Sequence, residues 1–179
     1  MLYVARRSFG DLPLPCQFPR LRRMETSVTH KDLVRRFFED LFNQHDLDCA
    51  DDIAAPIYIE HAIAPFGREA PGPVPGPEHL RNASTWLRAQ FPDIHMTIES
   101  MVEEGDLVAV RVLSEGTNLG MLNGVIPPTG RRFSAAQSHW FRLEDGRLAE
   151  HWATREDLPT MIQLGVISPP GPPESRAAT

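Results

Sequence analysis

The sequence comprises 179 residues with a mass of 20.1 kDa, a length at which one domain with a sizeable core is the common outcome. Apolar residues make up 41% and charged residues 23%, the mean hydropathy is −0.29, and the apolar runs are shorter than the ~20 residues that a bilayer span needs. These figures exclude a disulfide-stabilised miniprotein and predict a globular protein with no membrane partner.

The net charge of −6 is unevenly distributed. Residues 1–23 hold five of the 18 basic residues and one of the 24 acidic residues, so the remainder carries a net charge of −10. Nucleic acid is not an expected partner of such an acidic body, because a phosphate backbone selects for clustered Lys and Arg. Cys16 and Cys49 provide neither a disulfide framework nor a zinc spacing, which is typical of a reducing compartment and predicts a cytoplasmic protein.

The first 23 residues differ in composition from the rest. Arg6 and Arg7 resemble the start of a twin-arginine export signal, but Asp11 and three prolines occupy the stretch where such a signal has its apolar region. We therefore predict that residues 1–23 are a disordered leader or that translation starts at Met24. Residues 24–167 are predicted to form one domain, and 168–179 a disordered tail.

The first half of this domain is predicted to be helical. Thr29 is a possible N-cap for a helix whose apolar residues recur at steps of three and four as far as Phe42. A short helix over about residues 47–54 is ended by Pro56, and residues 57–61 are predicted to form a short strand.

A proline-rich segment then interrupts the regular structure. Residues 65–77 contain five prolines and three glycines, which excludes a helix interior or a central strand and predicts a long loop. A third helix is predicted from Glu78 to Phe91, ending before Pro92.

The second half is rich in β-branched and aromatic residues. Four strands are predicted, at about 94–102, 107–117, 132–143 and 147–154. Short glycine-containing turns join them into hairpins, and a last helix runs from about Asp157 to Leu164. Helices first and antiparallel strands later indicate an α+β fold, with helices packed on one face of a curved antiparallel sheet.

The turn at 144–146 decides which side chains of the last hairpin share a face. Glycine in its third position suits a three-residue loop, which places His139 opposite His151 and Gln137 opposite Ala153. Because side chains alternate along a strand, all four would lie on one face. A two-residue loop would shift the register by one and separate the histidines.

This predicted face has the composition of a small-molecule site, with apolar walls and a few converging polar groups. Its polar residues are Gln137, His139, His151 and Arg155, and Phe141 belongs to its apolar part. The two histidines are candidates for acid–base chemistry. The alternative is that they make ordinary structural hydrogen bonds or lie on a solvated or dimer-covered face.

Two further residues are candidates for substrate contact. His61 follows the short strand and precedes the proline-rich loop, where it could reach the mouth of a pocket, although a single histidine is more often structural. Trp86 on the third helix is either a core residue or a platform for a ligand. The sequence has no metal-ligand spacing, phosphate-binding loop or dinucleotide fingerprint, so we expect neither a metal nor a cofactor.

Several segments together resemble a known family: LVRRFFEDLFNQHDLD, YIEHA, GVIPPTGRRFS and HWFRLEDGRLAEHWATREDLPTMIQLGVI. Over roughly residues 30 to 167 the sequence is similar to the SnoaL-like polyketide cyclases, or ester cyclases, of the nuclear transport factor 2-like superfamily. The resemblance implies a cone formed by a curved antiparallel sheet and closed by three helices, often dimeric through the sheet.

The resemblance also implies an activity. Characterised members of the family close a ring of an aromatic polyketide methyl ester by a cofactor-free intramolecular aldol condensation, using an aspartate base on the last strand. His139 and His151 match the family's two histidines and Gln137 matches a pocket glutamine, but the aspartate position is Ala153. The base would then be a histidine or a carboxylate from elsewhere, unless the protein has another task.

Other functions remain open at this point. The same cone would suit a hydrolase, an isomerase or a cofactor-independent hydroxylase, or a non-catalytic ligand-binding module. A homodimer is the expected assembly, since Trp140 and Trp152 fall on the face opposite the predicted pocket, although a helix could also cover them.

Overall fold

The computed structural model describes residues 28–62, 71–169 and 171, so the predicted leader and most of the predicted tail lie outside the described residues. The helices are α1 (His30–Arg36, continued by a π-helical segment, Phe37–Asn43), α2 (Cys49–Ile53), α3 (Gly76–Gln90) and α4 (Asp157–Gln163). The strands are β1 (Ala54–Glu60), β2 (Gly72–Pro75), β3 (His95–Glu104), β4 (Leu107–Thr117), β5 (Arg132–Glu144) and β6 (Arg147–Arg155). Across these ranges no helix combines the length and the apolar character that a membrane crossing requires.

Helix α1 begins as its sequence predicts. The Thr29 side chain accepts a hydrogen bond from the Asp32 N–H, and the Asp32 carboxylate accepts one from the Thr29 N–H, which forms a capping box. The π-helical segment that follows ends with the Gln44 N–H donating to the Glu39 carbonyl, five residues back, at 2.9 Å. Its four apolar side chains are buried: Phe37, Phe38, Leu41 and Phe42.

The six strands form one sheet in the order β2-β1-β6-β5-β4-β3. The predicted α+β class is confirmed, but one part of the prediction is wrong, because β1 and β6 run parallel while the other neighbours are antiparallel. The segment between β1 and β6 contains β2, α3 and three more strands, so no tight turn dictates their relative direction.

The segment predicted as a long loop, 65–77, contains a strand. Strand β2 pairs with β1 alone, at the edge of the sheet. The two prolines of β2 are tolerated at the edge of the sheet, because an edge strand has a neighbouring strand on one side only and backbone groups on its other side need no N–H donor. Helix α3 then begins at Gly76, two residues before the predicted start, with proline in its first turn.

The hairpin between β5 and β6 differs from the predicted register in two compensating ways. Glu144 pairs with Arg147, so the loop is the two residues Asp145 and Gly146, whose φ angles of 48° and 70° are typical of a type I′ turn. This shift alone would separate the histidines. A bulge at Ala149 shifts the register by one more residue and returns both histidines to the same face. His139 consequently lies opposite Ala153, and not opposite His151 as predicted.

The helices cover the face of the sheet that carries the histidines. Phe37 and Phe38 pack against Phe141, with ring centroids 4.8 and 6.1 Å away. Phe38 also makes an edge contact with His139 at 5.3 Å. The core therefore lies between the π-helical segment and the centre of β5 and β6.

Candidate active site

His139 on β5 and His151 on β6 form a buried hydrogen-bonded pair. The distance between His139 Nδ1 and His151 Nε2 is 2.9 Å, and the two rings lie nearly parallel, with an interplanar angle of 13° and centroids 5.2 Å apart. Their exposed fractions are 6% and 7%. The two histidines therefore share a face, and they interact directly.

Each histidine has a second polar partner. The outer nitrogen of His139, Nε2, lies 3.0 Å from Oε1 of Gln137. On the other side, Nδ1 of His151 lies 3.0 Å from both carboxylate oxygens of Glu60. We call this series, in the order Gln137, His139, His151 and Glu60, the histidine network.

The hydrogen bonds of the histidine network are compatible with two protonation states. In one, both histidines are neutral, and in the other the pair holds one additional proton. Because Nδ1 of His151 faces a carboxylate, it carries a hydrogen in both arrangements. In the neutral arrangement, Nδ1–H of His139 donates to Nε2 of His151. In the charged arrangement, Nε2–H of His151 donates to His139, and Nε2–H of His139 donates to Gln137. The Gln137 amide suits either arrangement because a half-turn exchanges its oxygen acceptor for its NH2 donor.

The electrostatic environment favours a neutral His139 and an ionised Glu60. Burial, followed by the charges of His151 and Arg155, holds the pKa of His139 well below its ordinary value of 6.5, and the Glu60 charge offsets this only in part. Burial alone would raise the pKa of Glu60, but hydrogen bonds from His151 and His79 and from the backbone N–H of Ala62 lower it to about 2.

The network has apolar walls. Phe141 is fully buried and stacks against His151, with ring centroids 4.8 Å apart. Phe37 closes the same side, with its centroid 5.9 Å from that of His151. Phe141 thus supports the histidines from within the core, rather than lining an open surface as a substrate-contact residue would.

Arg155 and Ala153 flank the histidine network on β6. Arg155 pairs with Gln137 across the two strands, and its Nε lies 3.5 Å from Oδ1 of Asp157. After burial and the charge of His151, the charge of Arg155 contributes to lowering the pKa of His139. Ala153 lies directly opposite His139 and presents only a methyl group there.

The structure does not bring His61 or Trp86 to the histidine network. The His61 ring stacks on Trp152, with centroids 4.4 Å apart, and its Nε2 lies 2.9 Å from Oε2 of Glu150, on the opposite face of the sheet. Trp86 is 40% exposed on α3. Neither side chain takes part in the buried hydrogen bonds that join the two strands.

Sequence reasoning missed Glu60 and its second partner, His79. Glu60 lies two residues after the fully buried Tyr58, so strand alternation alone places it on the inner face. The pairing of Glu60 with His151 across two parallel strands has no local sequence signal. Within the described ranges, no three His, Cys, Asp or Glu side chains are grouped so that they could hold a metal ion.

Comparison with known families identifies the class of this protein. The profile of the SnoaL-like polyketide cyclase family matches residues 32–164. This range spans β1 to β6 and includes all four residues of the histidine network. The chain therefore belongs to the SnoaL-like polyketide cyclase family.

Individual relatives agree with this assignment. The chain is 35% identical over 138 residues to aklanonic acid methyl ester cyclase DnrD of Streptomyces peucetius, covering 76% of this chain and 91% of that protein. It is 32% identical to nogalonic acid methyl ester cyclase of Streptomyces nogalater over 125 residues, 69% of this chain and 89% of that one. Among solved structures, wild-type IdmH of Streptomyces antibioticus has a TM-score of 0.65 and 33% identity, over 75% of this chain and 97% of IdmH.

Proposed function

We propose that this protein closes a ring of a small polyketide ester by intramolecular aldol addition, with His139 as the base. The observation that carries the proposal is the buried series of hydrogen bonds from Gln137 through His139 and His151 to Glu60. Family membership and the 35% identity to a methyl ester cyclase support the substrate class.

The reaction begins with removal of a proton from a carbon flanked by two carbonyl groups. The proton goes to Nε2 of His139, the end of the network away from Glu60. The Nδ1 proton of His139 then passes to Nε2 of His151 over 2.9 Å, so the positive charge rests on His151, beside the Glu60 carboxylate. The enolate carbon attacks a ketone within the same molecule, and the resulting alkoxide takes a proton back from His139, so no proton is gained or lost overall.

This arrangement explains how a weakly basic histidine can act as the base that removes the substrate proton. A low pKa keeps His139 unprotonated at neutral pH and ready to accept a proton. The Glu60 carboxylate then stabilises the cation that forms, much as a buried carboxylate stabilises the imidazolium in a catalytic triad. The carboxylate is thus supplied by Glu60 on β1, whereas the resemblance implies an aspartate on β6, at the position of Ala153.

Two groups are placed to stabilise the negative charge on the enolate. With its Oε1 accepting from His139 Nε2–H, Gln137 can turn its amide NH2 towards the enolate, and Arg155 brings a positive charge to the same end of the network. Donors aimed at a developing oxyanion in an apolar site contribute strongly to rate. The buried aromatic rings of Phe37, Phe38 and Phe141 keep the surroundings apolar.

The test of the proposed function is direct turnover. The purified protein is incubated with aklanonic acid methyl ester and with nogalonic acid methyl ester, and the products are separated by liquid chromatography and identified by mass and NMR. We expect a cyclised product whose formation needs no added cofactor and is lost in His139→Asn. Hydrolysis to the free acid, or no reaction with either ester, would contradict the proposal.

We further propose that the protein is a cytoplasmic homodimer formed through the outer face of the sheet. Trp140 and Trp152 lie there beside a cavity of about 450 Å³ that is also lined by His61 and Arg142. Large indole rings at the centre of a face are typical of protein interfaces. Sedimentation equilibrium tests this: Trp140→Glu is expected to convert a dimer to a monomer, and a wild-type monomer would contradict the proposal.

A further inference from the structure

Glu60 has a second histidine partner, contributed by α3. Nε2 of His79 lies 3.2 Å from Oε2 of Glu60. The His79 side chain is 22% exposed, compared with 8% for His151. The carboxylate therefore bridges one histidine inside the network and one that is closer to solvent.

Tyr58 packs beside His79. The Tyr58 ring is fully buried on β1, two residues before Glu60, and its centroid lies 5.8 Å from that of His79. Among the described residues the Tyr58 hydroxyl has no hydrogen-bond partner, so it does not bind the carboxylate. The groups that donate to Glu60 there are His151, His79 and the backbone N–H of Ala62.

Other charged groups near this part of α3 are engaged elsewhere. Elements α2, β1, β2 and the π-helical segment pack against α3. Apart from Glu60, the acidic side chains of these elements contact other residues. Asp51 pairs with Arg81, both Asp40 and Asp52 pair with Arg36, and Glu39 accepts a hydrogen bond from Asn43. From β6, Arg147 donates to the backbone carbonyls of Asp51 and Ala54. In the described part of the chain, Glu60 is thus the carboxylate that His79 contacts.

We propose that His79 is a positioning residue that controls how much of the Glu60 negative charge is available to His151, and through it the basicity of His139. This inference rests on the proposed function for its catalytic consequence. It assigns to α3 a part in the reaction although α3 contributes no side chain to the histidine network itself.

The physical argument concerns one carboxylate shared by two histidines. A neutral His79 donates one hydrogen bond to Glu60, whereas a protonated His79 places a full positive charge against it. A carboxylate that already faces a cation stabilises a second cation less, so the proton accepted by His139 is held less tightly. Because His79 is the more exposed of the two, it exchanges protons with solvent more readily than the buried pair does.

The test uses two variants of His79 and one control. His79→Leu removes both the hydrogen bond and the charge, whereas His79→Gln keeps an NH2 donor at the position of Nε2 and cannot be protonated. The control is His30→Leu, which breaks another histidine–glutamate pair. In that pair, Nδ1 of His30 on α1 lies 3.1 Å from the carboxylate of Glu103 on β3. The readouts are the acid limb of the pH profile of kcat/KM and the NMR titration of the His139 and His151 rings.

We expect His79→Leu to move the acid limb to higher pH by roughly half a unit to one unit, because Glu60 then acts on His151 alone. His79→Gln should move it in the same direction by a smaller amount, and His30→Leu should leave it in place. A purely structural role for His79 would lower activity equally at all pH values. An acid limb that stays at its wild-type position in both His79 variants would overturn the inference, and His79→Gln alone decides it if His79→Leu does not fold.

The two readouts separate this inference from the proposed function. If the wild-type protein turns over neither ester but the His79 variants still shift the titration of the buried pair, the proposed function fails and the coupling through Glu60 stands. If an ester is cyclised and neither readout responds to His79, the proposed function stands and the inference fails.

Discussion

Each face of the sheet carries one glutamate–histidine contact between β1 and β6, and the two contacts differ in their surroundings. Strands β1 and β6 each contain the dipeptide Glu-His, Glu60-His61 and Glu150-His151, and they pair in parallel with Glu60 opposite His151. Because the dipeptides are offset by one residue, Glu60 meets His151 on the inner face while His61 meets Glu150 on the outer face. The nitrogen–oxygen distances are similar, 3.0 and 2.9 Å.

The difference between the two pairs lies in burial and in what comes next. The His61 side chain is 32% exposed and stacks on Trp152, and its partner Glu150 also contacts the Arg142 guanidinium, which is itself 36% exposed. The His151 side chain is 8% exposed, and its hydrogen bonds continue through His139 to Gln137. Water screens an exposed pair, whereas a buried pair acts at close range in a low dielectric. A histidine–carboxylate contact is therefore a candidate part of a catalytic base when it is buried and hydrogen-bonded to a second histidine, as His151 is to His139.

The largest effect that separates the two faces is expected from removing the histidines themselves. His139→Asn should lower kcat/KM by roughly 10³-fold, because loss of a general base typically costs between 10² and 10⁴. His61→Asn, the matched change on the outer face, should alter it less than about twofold. Steady-state kinetics with the ester that the wild-type protein cyclises measures both. Equal losses in the two variants would remove the distinction between the faces.

The Glu60 carboxylate should also make stability depend on pH. Its pKa is lowered from 4.5 to about 2, so the folded protein binds fewer protons than the unfolded chain between these values. The resulting stabilisation, about 3 kcal/mol, is complete above pH 4.5 and is lost as the pH falls towards 2. Urea unfolding of wild type and Glu60→Gln should therefore differ most near neutral pH and converge in acid. A difference that is constant with pH would refute this expectation.

Replacing the two glutamates compares the faces again, and the expected loss of kcat/KM is smaller than for the histidines. Glu60→Gln should reduce kcat/KM by roughly 30-fold, since the amide orients His151 but cannot stabilise its cation. Glu150→Gln, which changes the outer pair in the same way, should have little effect on the rate. Both variants are measured at pH 7 with folding checked by circular dichroism. Activity that survives Glu60→Gln intact would show that the base works without this carboxylate.

The smallest effect is expected from a carboxylate placed on β6. Ala153 lies opposite His139, so Ala153→Asp puts an acidic side chain beside the base position. In the His139→Asn background this change should recover roughly tenfold in kcat/KM, because a carboxylate can then accept the substrate proton. Ala153→Asn in the same background is the control and should recover nothing. Equal recovery by both would point to repacking and not to a new base.

The fold was predictable where local signals are strong. The Thr29 cap, the long strands and the last helix all follow from spacing and turn residues close in the chain. The parallel pairing of β1 with β6 was not, because nothing near Glu60 or His151 indicates that they meet. The pattern in β1 also misleads: Ile57, Tyr58 and Ile59 are all apolar, so the sequence alone does not show that Tyr58 and Glu60 lie on the buried face while Ile57, 63% exposed, lies on the other.

The site was predicted for a reason that proved incomplete. The same-face placement of the two histidines is confirmed, but the three-residue turn from which we derived it is wrong. A two-residue turn and a bulge at Ala149 together give the same result, and bulges leave little trace in sequence. Reasoning from alternation therefore identified Gln137, His139 and His151 on β5 and β6, while Glu60 and His79 required the tertiary structure.

The proposed reaction depends on His139 being a buried neutral base at the end of the histidine network. The most direct measurement is ¹⁵N NMR of the histidine ring nitrogens of the full chain between about pH 5 and 8, with and without the ester. We expect His139 to titrate well below 6.5, so that its ring is neutral at pH 7, and its Nε2 resonance to shift when the ester binds. A His139 that titrates near 6.5 and does not respond to the ester would contradict it.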